Sequence, residues 1–271
     1  MNDSQITAGA LERGRALLGQ KAWTAAFAEL SAADREASLG AQDLLSLALV
    51  AHLLGREAEN SSLLARAHQA FQAEGDVRSA VRCAFWLGFS AMLNGDMAQA
   101  SGWLARARRL LDDCAEQVPE GCVEEGYLLL PVGYQSVHAR EAEIAFTAFS
   151  EAAAIGVRHG DKDLIALARQ GQGRALIRKG EIVRGVALLD EVMVGVTANE
   201  VSPNVAGGVY CSVIEACGEI FDIRRAQEWT TALDEWCSSH PDIVPYRGHC
   251  QIRRAEILQL RGRWAEALEA A

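Results

Sequence analysis

The 271-residue chain is 50% hydrophobic and 23% charged, a balance that excludes a disordered polymer. Its formal charge of −10 gives a field that repels phosphate backbones and excludes direct nucleic-acid binding by these residues. No basic start leads into an apolar stretch, and no run reaches the roughly eighteen apolar residues of a membrane span, so the chain reads as cytoplasmic.

Strand signals are nearly absent, and Ala, Leu, Arg and Glu recur at helical spacing. The segment WLGFSAMLNGDMAQASGWLARARRLL, residues 86–111, shows the unit: Gly88 midway along a first helix, a turn at Asn94-Gly95-Asp96, then Ala100 and Ala107 on a second helix. Small residues spaced twelve and then seven apart let two antiparallel helices approach closely. In chain order this predicts hairpins at 5–38 (Gly14, Ala26, Ala33), 41–73 (Ala48, Asn60, Ala67), 77–113, 122–159 (Gly133, Ala145, Ala152) and 162–198 (Gly173, Gly185, Val192). The pattern weakens at 205–238 (Ile214, Ala226, Leu233), and Ala255 with Ala267 begin an incomplete copy at 247–271. Successive copies are offset by 34, 40, 45, 40, 41 and 41 residues.

Two features not used to find the register agree with it. Gly55, Gly95, Gly180 and Gly262 fall seven residues after the mid-helix small position, where a helix ends on a residue tolerating positive φ. Bulky Trp23, Met97, Ile182, Ile223 and Trp264 follow two positions later. The expected fold is all-α: a single tetratricopeptide-like α-solenoid, a right-handed superhelix of antiparallel hairpins over 1–271. Pro119, Pro203, Pro241 and Pro245 read as linkers between hairpins, whereas Pro131 should kink or break a helix. The last hairpin reads as uncapped, which predicts either a longer protein or a homodimer through that end.

The usual chemistries find no support. Seven cysteines contain no CxxC pair and read as thiols packed in helices. There is no GxxxxGK[ST], HExxH, GxSxG or EF-hand loop, and Gly171 with Gly173 follows no strand. Glu124-Glu125 and Asp112-Asp113 read as solvated or end-of-helix carboxylates, and Arg106, Arg108 and Arg109 as complements to a helix C-terminus. No catalytic residue, metal site or cofactor is therefore predicted, and the chain is read as not an enzyme.

In such a solenoid the first helix of each pair lines the concave surface, and stepping three or four residues along it orders the candidates. The outer repeats offer Arg15, Leu18, Leu45, Leu49, His52, Cys211, His249 and Glu256. The binding groove is predicted in the middle: Arg82, Phe85, Phe89, Met92, Tyr127, Tyr134, His138, Gln170, Arg174 and Glu215. Phe85, Phe89, Tyr127 and Tyr134 would form an apolar wall suited to a small molecule or peptide. The same four could instead fill the core between repeats.

The runs LERGRALLGQKAWTAAFAELSAADREASLGAQDLLSLALVAHLLGRE, CAFWLGFSAMLNGDMAQASGWLARARRLLDD, LLDEVMVGVTANEVSPNVAGGVYCSVIEACGEIFDIRRAQEW and VPYRGHCQIRRAEILQLRGRWAEALEAA resemble the helical-repeat region of large actinobacterial LuxR-family transcriptional regulators. That resemblance spans nearly the whole chain. It implies a regulatory array that senses a small-molecule effector or a protein or peptide partner, with DNA bound only by an output domain lying outside these residues. The alternatives are a free-standing protein-protein interaction scaffold and, less well supported, an enzyme with a groove active site.

Overall fold

Two helices can lie against each other at short range only where one of them lacks side-chain bulk, and the repeated small residues supply that condition. The computed structural model describes residues 3–114, 121–260 and 262–269; Pro119 and the side chains of His249 and Cys250 lie outside the described set. Its helices are α1 (Asp3–Gly19), α2 (Trp23–Glu36), α3 (Ala41–Leu53), α4 (Glu57–Glu74), α5 (Val77–Leu93), α6 (Met97–Asp113) and α7 (Val123–His138). They continue as α8 (Ala142–His159), α9 (Lys162–Arg178), α10 (Ile182–Thr197), α11 (Pro203–Glu219), α12 (Ile223–Ser239), α13 (Arg247–Leu260) and α14 (Trp264–Glu269). No strand occurs among the described residues. The chain forms two compact units, the first built from α1–α6 with the segment Asp242–Pro245, the second from α7–α14.

In the four hairpins with a mid-helix glycine, that position packs against a residue sixteen positions later on the second helix. A Cβ at Gly14 would stand 2.7 Å from Leu30, at Gly88 2.8 Å from Leu104, at Gly133 2.6 Å from Phe149, and at Gly173 2.7 Å from Leu189. The alanines of the pattern, Ala26, Ala33, Ala67, Ala100, Ala107, Ala145 and Ala152, are all fully buried. Asn60 occupies an alanine position, and its amide Nδ2 donates to the Ala48 carbonyl at 2.8 Å, which satisfies a polar group in the helix contact.

The turn register holds in all seven hairpins. The residue seven after the mid-helix position takes a left-handed conformation at Gly55, Gly95, Gly180 and Gly262, and also at Lys21, Arg140 and Phe221. The next amide donates back to a carbonyl of the last helical turn, as from Ala22 to Leu17 (3.0 Å), Glu181 to Leu176 (2.9 Å) and Asp222 to Cys217 (2.9 Å). This is the Schellman closure, which recovers carbonyls that a helix end leaves unpaired. The bulky residues Trp23, Met97, Ile182, Ile223 and Trp264 are the first residues of α2, α6, α10, α12 and α14.

Three expectations need correction. α7 runs unbroken through Pro131, which is buried inside it. Glu124 lies in the first turn of α7, the end-of-helix position expected for it, and is buried there. The last turn of α6 holds no basic residue, so Arg106, Arg108 and Arg109 do not complement its dipole; Arg106 donates to Gln72 and lies over the Trp103 ring. Pro203 is not a linker residue proper but opens α11, where its missing N–H costs nothing.

The core of the first unit contains one ionisable ring. His68 is fully buried, its edge set against Trp103 with centroids 5.4 Å apart, and Nδ1 lies 2.8 Å from the Ala80 carbonyl. A carbonyl only accepts, so Nδ1 carries the proton, and Nε2 is buried with no partner. Burial pushes the His68 pKa below its ordinary value; the Ala80 carbonyl opposes this and the Arg106 charge adds to it.

Two predictions follow from this geometry. Phe221 is 79% exposed and left-handed, a backbone region that costs a bulky residue roughly 1–2 kcal/mol. Phe221→Gly removes that cost but loosens the unfolded chain, for an expected net gain of about 0.5–1 kcal/mol in urea unfolding. For His68 the unfolded chain binds the proton more readily than the native one, so stability is intact above the ring's ordinary pKa of about 6.5 and declines as pH falls below it. The urea midpoint should drop between pH 7.5 and pH 5, and drop less in His68→Phe.

Candidate functional site

The first helices of the second unit are joined by polar side chains in the order α7, α9, α11, α13. Tyr134 on α7 donates its hydroxyl to Gln170 Oε1 at 2.6 Å. Gln170 on α9 is buried, and its Nε2 donates to Ser212 Oγ on α11. One turn further along α9, Arg174 Nη1 donates to Ser212 Oγ (3.0 Å) and to Glu215 Oε2 (2.8 Å), while Nη2 donates to Glu219 Oε1 (2.9 Å). Arg178 pairs with Glu219 Oε2 at 3.1 Å. On α13, Arg253 lies 3.7 Å from Glu215 and pairs with Glu256 at 2.7 Å.

Helical periodicity explains why these residues meet. Positions three or four apart share a helix face, which aligns Gln170, Arg174 and Arg178 on α9 with Ser212, Glu215 and Glu219 on α11. Burial pushes the Tyr134 pKa upward, with the Arg174 charge opposing, so the phenol remains a neutral O–H donor. Its ring also meets Phe149 edge-on at 5.1 Å. The Arg174 side chain is only 13% exposed against 44% for Glu215, so the guanidinium is a fixed hub and the carboxylate its accessible partner. Arg174 Nε is buried without a hydrogen-bond partner.

Of the predicted groove residues, Tyr134, Gln170, Arg174 and Glu215 are brought into this one network. Phe85, Phe89 and Tyr127 are buried within their own units. Phe85 and Phe89 belong to the first unit and Tyr127 and Tyr134 to the second. Phe85 is wholly buried, stacks on Phe89 at 5.3 Å and meets Trp86 at 5.0 Å, so this pair is core. Tyr127 is buried too, and its hydroxyl donates to Asp161 Oδ1 at 3.0 Å. Arg82 and Met92 are half-buried on α5, and His138 is exposed at the end of α7. In the first unit Arg15 makes a bidentate pair with the buried Asp43 at 2.8 and 2.7 Å, and His52 pairs with Glu57 at 3.0 Å.

Sequence reasoning missed Ser212, Glu219, Arg178 and Arg253. The signal for three of them was present one turn away, three residues before Glu215 and four after Glu215 and Arg174. The site gathers three guanidinium groups and three carboxylates next to the buried Gln170 amide and the Tyr134 hydroxyl. Among the described residues no group of three or more His, Cys, Asp or Glu could hold a metal, and no helix is long and apolar enough to cross a membrane. Two shallow depressions, of 230 Å³ bordered by Phe27, Asp34 and Arg66 and of 420 Å³ on α12, include none of the candidate residues.

Hairpin pairing, turn register and stacked first helices define a tetratricopeptide-like solenoid. No family model matches the chain, and no curated protein does. Among solved structures it is similar to the apo form of the quorum sensor NprR from B. thuringiensis, with TM-score 0.61, 13% identity, and coverage of 99% of this chain and 75% of that one. It is also similar to a Rap protein complexed with competence and sporulation factor, with TM-score 0.58, 15% identity, and coverage of 97% and 74%.

The network makes a stability prediction. Tyr134→Phe removes one donor and should cost about 1 kcal/mol, whereas Gln170→Leu removes both the acceptor of the Tyr134 hydroxyl and a donor to Ser212 and should cost about 2 kcal/mol. The double variant is expected to cost less than the sum in urea unfolding, because both changes break the same chain of bonds.

Proposed function

We propose that the chain is a regulatory binding module that recognises a peptide or protein segment through the polar face of α9, α11 and α13, and that it does no chemistry of its own. The observation that carries this reading is Arg174, a shielded guanidinium whose carboxylate partners Glu215 and Glu219 remain open to exchange. A carboxylate or carbonyl arriving from an extended ligand replaces one such partner, with little lost because half-exposed ion pairs are worth only about 0–1 kcal/mol. An open face of this kind suits an extended segment better than an enclosed small molecule. The regulatory role is supported by analogy of fold: of the two similar structures, one is a quorum sensor and the other a Rap protein holding competence and sporulation factor. The likeness of the repeats to LuxR-family regulators supports the same role, with DNA contacted by a separate output domain.

Fluorescein-labelled random hexapeptides with free α-carboxylates, followed by polarisation, test this. The intact chain should bind a subset saturably, and Arg174→Gln should weaken that subset about tenfold while circular dichroism is unchanged. Equal binding by both proteins, or none by either, would show that this face is not the recognition site.

A further inference from the structure

A helix leaves its first amides and last carbonyls unpaired, and a nearby side chain normally covers some of them. α5, α9 and α12 carry their own acceptors: Asp76 accepts from Ser79, Asp161 from Leu164 and Asp222 from Arg225. α2 begins behind Ala22, which has no side-chain oxygen to offer. Its acceptor comes from 218 residues away in sequence, where Asp242 Oδ2 receives the Thr24 N–H at 3.1 Å. Two residues further on, the Val244 N–H donates to the carbonyl of Leu53, the last residue of α3, at 2.9 Å. Ile243 between them is 0% exposed. The left-handed Gly55 lets the segment come close, for a Cβ there would stand 3.2 Å from Val244 Cγ1. The segment Asp242–Pro245 belongs with the first unit, so these contacts lie inside that unit.

We propose that the turn edge of the first two hairpins is a docking site for an extended peptide bearing an aspartate, a buried aliphatic residue and a valine in succession, with Asp242, Ile243 and Val244 as its resident occupant. The three elements of recognition are independent of one another. The α2 N-terminus takes the carboxylate, through its free amide and its dipole. The surroundings that bury Ile243 take the middle side chain. The Leu53 carbonyl takes the main-chain N–H, which fixes the register and the extended form. Pro241 and Pro245 bracket the occupant, and their locked φ lowers the entropy of holding it extended. Because the occupant is tethered, its effective concentration is of millimolar order, and a free peptide displaces it only at comparable concentration.

The test uses the acetylated, amidated peptide His-Pro-Asp-Ile-Val-Pro-Tyr-Arg, which copies residues 240–247, and its alanine-for-aspartate counterpart. Calorimetry on the full chain carrying Asp242→Ala and Ile243→Ser, which vacates the site, should show saturable binding of the first peptide, about tenfold tighter than the second. No binding by this variant with its helical dichroism intact, or equal affinity for the two peptides, overturns the proposal. Should the variant lose its helical dichroism, the intact chain decides. The Val244 amide should exchange faster with solvent in about 5 mM of the aspartate peptide and not in the alanine peptide. An unchanged exchange rate overturns the proposal.

Discussion

The contact on which everything else depends is the close approach of two helices at the mid-helix glycine of a hairpin. Once Gly133 faces Phe149 and Gly173 faces Leu189, with no room for a Cβ, the hairpin's crossing point is set. The turn must then reverse the chain seven residues later, and it does so through one left-handed residue and one Schellman bond in every hairpin. Stacking follows from the same geometry, since a hairpin this tight leaves apolar faces that only a neighbouring hairpin can cover. The polar network of the second unit is a by-product of that stacking: it brings three successive first helices near enough for Tyr134, Gln170 and Ser212 to touch.

The two units use equivalent helix positions differently. In the first, Leu45, Leu49 and Met92 stand half-buried on the first helices, and Arg15 makes a bidentate pair with Asp43. In the second, the same register carries Gln170, Arg174 and Glu215, whose partners are shared and half-exposed. A locked pair contributes to holding helices together, while a shared one can be rearranged by an incoming group at small cost. That difference, more than any pocket, is what the proposal of recognition by the second unit rests on.

The fold was legible in the sequence because its signals are steric and local. A glycine where a Cβ would collide, an alanine where only a Cβ fits, and a glycine where φ is positive are signals that do not depend on distant sequence. The site was half legible. Arg174, Glu215, Gln170 and Tyr134 were found by stepping along one helix face, but the same stepping selected Phe85, Phe89 and Tyr127, which are core. The phase of a single helix does not reveal how near the next first helix will come. Where it comes near, a large ring fills the gap; where the residues are polar, they bond across it. The non-glycine turns at Lys21, Arg140 and Phe221 were not legible, since the demand for positive φ is met there by the hairpin's closure and not by the residue.

Local rules are broken at Phe221, in the second unit, and at Ala22, in the first. Phe221 takes a conformation that glycine would take freely, and Ala22 stands where a capping side chain belongs. Each is locally unfavourable, and a sequence otherwise consistent across levels tends to tolerate such a departure where something else depends on it. At Ala22 the compensation is visible: the missing oxygen is replaced by that of Asp242, and the replacement brings Ile243 and Val244 with it. A capping residue at position 22 would satisfy the Thr24 amide locally and remove the carboxylate's reason to dock. The lack of a local cap is therefore what makes the turn edge selective for an arriving acidic residue, and what ties the first two hairpins to a distant stretch of sequence.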